Sequence, residues 1–525
     1  FAGAIDDARL YAVALSAEQL SALKPNQPSD PKPLAWWNFE NNKPEDAMGA
    51  YPPAKLVGSA RIEAGKLILD GNGSSLITPP SAAPPPPPAY VVPYDSPIHF
   101  RPDRGVLADT IPFYWKGEYH VFYLRGGVGK VPWEHIVSKD LVSWKELPTA
   151  LVSDGAADGP DGEHMFTGSV TEKDGTFHIF YTGWNPRNAS GREFIMHATS
   201  PDLIAWTKHP EEKLGPDGVI YKNHQDRDWR DAYVFWNQDE QQHWMVMCSN
   251  SAKPDEGGVG LLTSKDLKTW KHEAPLKGAE QQECPDLFKI GDTWYLIGGD
   301  HYSFAKSARG PYQKPPVCNY IDRPGIYAGK RMFDGKRHIW TGWVWDIPTG
   351  RDGEPGTWGG TQSLPRELYA GPDGQLYCKP VEEVVAVFKK TVLQRNGIGV
   401  DAASSFAVPD NYMVECQVQL EPGAELTVAM RQQSKDEAYR FVISPAKKEA
   451  SLRGPGFECR RPCPVDTSKP VKFQAFVQGT IIECFVNDQY ALTSRAYNFR
   501  KGKLAFEALG GAAKMLSLEV KTQDE

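Results

Sequence analysis

The chain is 525 residues long, too long for one ordinary core, so two or three domains are expected. With 58 Lys and Arg against 66 Asp and Glu it is mildly acidic and carries no basic block, which argues against a nucleic-acid partner. No apolar run approaches the roughly 20 residues that cross a bilayer, and eight scattered Cys supply neither a disulfide scaffold nor paired CxxC elements for zinc.

Residues 1–83 read as short strands and turns, a partial N-terminal β-sandwich segment beginning at Phe1 without Met or signal peptide, as a fragment or processed product does. Residues 84–94 form a Pro-rich linker, because the run Pro84 to Pro88 favours stiff polyproline II. Residues 95–385 carry a repeat. SKDLVSW (138–144), SPDLIAW (200–206) and SKDLKTW (264–270) share S-x-D-L-x-x-W, with starts 62 and 64 residues apart. Strand-like runs precede each: GEYHVFYL (117–124), GTFHIFYTG (175–183) and QQHWMVMCS (241–249). Two more follow, DTWYLIGG (292–299) and GKRHIWTGW (335–343). Aromatic and β-branched residues bounded by Gly and Asp are hairpin grammar. Five copies of a unit that cannot bury its own faces predict an all-β, five-bladed β-propeller. The alternating runs of residues 386–525, such as YMVECQVQL and TIIECFVND, predict a C-terminal β-sandwich. Within it Cys459 and Cys463 (CRRPC) either bridge locally or stay free. The many aromatics, 16 Trp, 21 Tyr and 22 Phe, suit sugar-stacking surfaces and β cores alike.

Aligning the five units on their turns places Asp109, Thr167, Asp231, Glu283 and Tyr327 at one equivalent position, which in a propeller faces the central axis. Three carboxylates thus converge from positions 122 and 52 residues apart in sequence. Converging acids raise at least one pKa, and glycosidic cleavage requires a proton donor beside a nucleophile or base. A polar tunnel lining is the bland alternative. The repeated Asp140, Asp202 and Asp266 read as structural caps of turns.

These segments resemble glycoside hydrolase family 32, the invertase, inulinase and levanase group. HFRPDRGVLADTIPFYWKGEYHVFYL (99–124) is similar to the family's opening segment, with Asp109 in the nucleophile position. FTGS (166–169) resembles its FSGS element, WRDAYVF (229–235) its RDP motif and ECPDLF (283–288) its acid/base motif. WEHIVSKDLVSWKELPTAL (133–151), GTWGGTQSLPRELYAGPDGQLYCKPVEEV (356–384) and ECFVNDQYALTSRAYN (483–498) match further stretches. The resemblance implies a retaining hydrolase of β-fructofuranosidic bonds. Asp109 would be nucleophile, Glu283 acid/base, Asp231 transition-state stabiliser and Arg230 a sugar contact, with no cofactor or metal. Trp133, Phe166, Thr167, Tyr327 and Trp343 are the remaining candidate substrate contacts. An oligo- or polysaccharide is the expected partner, and a secreted, periplasmic or cell-surface location is expected. FAGAIDDARLYAVALSAEQLSAL (1–23) and WWNFENNKPEDAMG (36–49) resemble closing and opening pieces of a laminin-G-like sandwich.

The departures cluster at the sugar pocket. The family usually has Asn where Ala108 stands, Pro-Asn-Gly where Thr110, Ile111 and Pro112 follow, Gln where Leu124 stands and Pro where Ala232 stands. A pocket without those amides discriminates differently, since an unpaired hydroxyl costs roughly 1–3 kcal/mol. Another furanoside, such as an arabinofuranoside, is therefore an alternative substrate, and a non-catalytic sugar-binding propeller is a third reading. His135 and His224 read as structural, and Asp161, Glu163 and His164 as a solvated loop. The spacing of DRD (226–228) with Asp161 is not diagnostic of calcium.

Overall fold

A computed structural model of the chain describes residues 2–11, 15–49, 51–77, 96, 98–127, 130–222, 228–253, 258–322, 325–346, 358–400 and 404–523. The Pro-rich linker of residues 84–94 and His224 lie outside the described residues. The fold is all-β and divides into two compact units, 1–91 and 92–525.

In the first unit the two segments flanking residues 24–34 pair with each other. Ala8–Leu10 lies antiparallel to Ala35–Trp37, and Ala2–Ile5 to Lys66–Asp70. Asp7 ties them together by accepting from Arg9, the backbone N–H of Asn26 and the indole of Trp36. A small core of Ala35, Trp37, Phe39 and Leu67 lies within this unit.

In the second unit each of the five predicted runs between residues 117 and 343 becomes the second strand of an antiparallel hairpin. The three heptapeptides form one turn three times. Asp140, Asp202 and Asp266 each accept from the N–H groups two and three residues on. The following Leu141, Leu203 and Leu267 take left-handed φ of 60°, 65° and 63°. Leucine stands where glycine would be unstrained because its side chain is buried in each copy.

His164–Lys173, Thr176–Trp184, Glu193–Ser200 and Thr207–Lys208 make one four-stranded sheet. Trp229–Asn237, Gln242–Ser249, Val259–Ser264 and Lys271–Glu273 make a second. Asp286–Ile290, Thr293–Gly298 and His301–Ala305 form a three-stranded sheet. The first and last hairpin units share a nine-stranded sheet. Gly360–Gln362 joins them, pairing with Trp343 on one side and with Leu107, in the strand Val106–Trp115, on the other.

Residues 388–523 form two six-stranded sheets. Strict alternation puts Tyr412, Val414, Cys416, Val418 and Leu420 into the core of this region. All eight cysteines are free and buried, Cys459 and Cys463 included. A buried ionic joint links these sheets to the hairpin units. Arg366 donates to Asp322 (2.6 Å), Glu483 and Thr493 (2.8 Å), while Glu483 also receives Leu364 N–H (3.0 Å) and lies 3.1 Å from His99 Nε2. Burial alone would raise the Glu483 carboxyl, but Arg366 and His99 outweigh it and hold it at about 2.

Candidate active site

Four strands and the segment leading into the strand Asp286–Ile290 converge on one cavity of about 460 Å³. Its lining includes Asp109, Phe166, Arg230, Asp231, Glu283 and Tyr327, together with His164, Cys284, Val131 and Trp358. Backbone irregularities aim these side chains. The ladder slips between Ala108 and Thr110, between Phe166 and Gly168, between Arg230 and Tyr233, and between Tyr327 and Lys330. Each slip is a bulge, which turns the skipped residue out of the regular alternation. Asp231 and Ala328 adopt left-handed φ at two of these slips, 64° and 47°, and Cys284, just before the strand Asp286–Ile290, does so at 50°. Gly168 is required at its bulge, since a Cβ there would sit 1.9 Å from Phe180 O.

The carboxylates differ in surroundings. Asp109 is buried, accepts from Trp343 Nε1 at 3.2 Å and lies 3.6 Å from Cys284 Sγ. Burial first, and the charge of Asp231 second, push its carboxyl up to about 7. Asp231 accepts from Cys284 N–H at 2.9 Å, and its own N–H donates to Thr182 Oγ1 at 2.8 Å. Burial raises its pKa against the pull of Arg230, whose Nε lies 3.8 Å away. Glu283 is the more exposed acid. It receives Arg230 Nη2 at 2.8 Å on one oxygen and the Tyr327 hydroxyl at 2.5 Å on the other. Arg230 is held in turn by Asp228 and by Glu193 (3.4 Å). The enclosed Asp109 is thus held well above the usual carboxylate range. Chemically the cavity offers a buried carboxylate on its wall, a more accessible carboxyl held by two donors, and a third carboxylate able to accept from ligand hydroxyls.

Other predicted contacts fall elsewhere. Trp133 is fully buried, donates to Phe166 O at 3.1 Å and packs on Tyr181, so it is a core residue with no face free to stack on a sugar. Trp343 is also fully buried and reaches the site through its N–H on Asp109, orienting that carboxylate rather than stacking. Thr167 is buried outside the cavity lining, and its hydroxyl has no partner among the described residues. His135 pairs with His120 at 3.0 Å and stacks on Phe122; burial pushes it down to about 3, a neutral core histidine. Asp161 accepts from Tyr181 (2.8 Å) and Lys208 (2.6 Å), and Glu163 pairs with Arg187. His164 lines the cavity and stacks on Trp184 instead of lying in a solvated loop. Cys284 and Lys330 had no signal of their own, though Cys284 adjoins Glu283 in the motif. Among the described residues no group of three or more His, Cys, Asp or Glu is arranged to hold a metal ion.

Residues 99–380 match the glycosyl hydrolases family 32 N-terminal domain. The Escherichia coli sucrose-6-phosphate hydrolase is 25% identical over 460 residues, 76% of this chain and 88% of that protein. The insoluble isoenzyme 1 of beta-fructofuranosidase from Oryza sativa subsp. indica is 28% identical, covering 68% of each. Among solved structures, the exo-inulinase from Aspergillus awamori aligns with a TM-score of 0.69 at 19% identity, covering 82% of this chain and 99% of that one. Fructan 1-exohydrolase IIa from Cichorium intybus aligns equally well, at 0.69 and 19%, covering 83% and 98%. An all-β fold with clustered carboxylates in a cavity, and these relatives, define a glycoside hydrolase. The chain belongs to glycosyl hydrolase family 32.

Proposed function

We propose that the protein is a retaining hydrolase of β-fructofuranosidic bonds in fructans or fructosyl oligosaccharides. The observation that carries this reading is the convergence of Asp109, Asp231 and Glu283 on one cavity with Arg230 and Tyr327. Relatives named beta-fructofuranosidase, and a structural neighbour titled as a complex with 1-kestose, support the substrate class. In the first step Asp109 attacks the anomeric carbon while Glu283 gives its proton to the departing glycosidic oxygen. In the second, Glu283 takes a proton from water, whose oxygen displaces Asp109 and restores both groups. Asp231 accepts hydrogen bonds from sugar hydroxyls that strengthen as positive charge builds on the ring.

The shared sheet of the first and last hairpin units supports a five-bladed propeller over residues 95–385; the two six-stranded sheets support a sandwich over residues 386–525, and residues 1–83 are read as a laminin-G-like accessory segment on their sequence resemblance. One observation favours another furanoside: Ala108 and Leu124 are direct cross-strand partners, both fully buried, beside Trp133. Two amide-bearing positions of the family have thus become one apolar patch together. Assaying the protein on 1-kestose, inulin, sucrose and an aryl arabinofuranoside separates the readings. Turnover of the fructosides with retained anomeric configuration is expected. Exclusive turnover of the arabinofuranoside favours the second reading, and binding without any turnover favours a non-catalytic lectin-like role.

A further inference from the structure

Farther along the strands that follow the first cavity's residues lies a second, half-open cavity of about 590 Å³, lined by Ile111, Ser169, Tyr233, Phe288, Arg331 and Lys330 among others. Lys330 lines this second cavity, three residues along the strand from Tyr327, which lines the first. It is 1% exposed, a rare state for an ammonium, and its Nζ donates to Gly168 O at 2.8 Å, crossing from the Ile326–Phe333 strand to the His164–Lys173 strand. The strand that carries Asp109 packs against both of these. Nζ also lies 5.8 Å from the ring of Tyr233, on the strand that carries Asp231.

The charges around this point do not balance without Lys330. Asp109, Asp231 and Asp286 are buried carboxylates. Arg331 is taken by Asp286, 3.4 Å from its Nε, and by the Tyr233 hydroxyl at 2.8 Å. Arg230 already faces Asp228, Glu193 and Glu283, and reaches Asp231 only at 3.8 Å. The remaining groups are Tyr327, Cys284 and, in the second cavity, His338 and Lys289, and Lys289 is already taken by Asp239 at 3.3 Å. Burial pushes His338 down to about 4.

We propose that Lys330 is a positioning residue for the reaction, its buried ammonium making less costly the charged form of Asp109 and Asp231 that the nucleophilic step needs. This rests on the reading of Asp109 as nucleophile. The lysine favours the ionised form of Asp109, Asp231 and Asp286 alike, and burial opposes it at each. It never touches substrate; it acts through the carboxylates.

The test is the pH dependence of kcat/KM for Lys330→Met, Lys330→Gln and Lys330→Arg, with thermal unfolding recorded alongside. Removing a nearby positive charge makes a carboxylate harder to ionise, so the acidic limb should move to higher pH by about one unit or more in the Met and Gln variants. At high pH their rates should return toward the wild-type value, and the Arg variant should keep the wild-type limb. A purely structural lysine would lower the whole profile without moving the limb; that result overturns the inference, as does failure of both neutral variants to fold while the Arg variant folds. An unmoved limb, with Asp109→Asn inactive, sinks this inference alone. An active Asp109→Asn sinks the reading beneath it.

Discussion

Among the places where the second unit buries carboxylates, two treat them in opposite ways. At the joint between hairpin units and sandwich, Glu483 faces Arg366, His99 and a backbone N–H, and its pKa falls to about 2. In the cavity, Asp109 faces another carboxylate, one indole N–H and a weak thiol donor, and its pKa rises to about 7. Burial penalises both charges equally in kind; the partners decide the sign. The joint is satisfied and holds the fold, whereas the cavity keeps unsatisfied charge that a substrate and transition state can use.

That contrast can be broken at either end. The largest expected stability effect is at the joint. Glu483→Gln leaves Arg366 buried with one carboxylate fewer, and chemical denaturation should show a loss of about 3 kcal/mol at neutral pH. Because the folded Glu483 titrates below its ordinary 4.5, its contribution is present above that value and lost as pH falls towards 2, so the variant should lack this part of the acid dependence. At the cavity the sign reverses. A folded Asp109 binds its proton at about 7, against 3.8 ordinarily, so wild-type stability declines as pH rises between those values. Asp109→Asn should therefore be more stable than wild type at pH 8, by on the order of 2 kcal/mol, with the gain vanishing near pH 4. Equal or lower stability at pH 8 would mean that the cavity is not strained in this sense. The smallest effect concerns Tyr327, whose phenol burial keeps protonated as a donor to Glu283. Tyr327→Phe should lower kcat about tenfold, the worth of one hydrogen bond to a charged group, with little change in unfolding midpoint.

The hairpins were legible because their cause is local: aromatic and β-branched alternation between Gly and Asp turns, and a heptapeptide whose Asp makes the same cap each time. Repeat phase also brought Asp109, Asp231, Glu283 and Tyr327 to one cavity, with Arg230 beside them. The aromatic contacts were less legible. Trp133 and Trp343 lie near the site in the chain's pattern, yet the first is enclosed by Tyr181 and Phe122 and the second turns its N–H to Asp109. Which face a residue takes beside a bulge depends on where the ladder slips, and a slip of one residue reverses the face. Thr167 shares the phase of Asp109 and Asp231 yet lies outside the cavity lining, which its neighbour Phe166 joins instead. Lys330 was silent because a single lysine in a strand says nothing about being buried until five strands surround it.

The central claim is that the strained carboxylate in the cavity does the chemistry. Its most direct test is the rate of 1-kestose hydrolysis by Asp109→Asn, on protein shown by thermal unfolding to be folded. A loss of roughly 10³-fold or more is predicted, as for removal of a covalent nucleophile. A folded variant that hydrolyses 1-kestose within tenfold of the wild-type rate would contradict it.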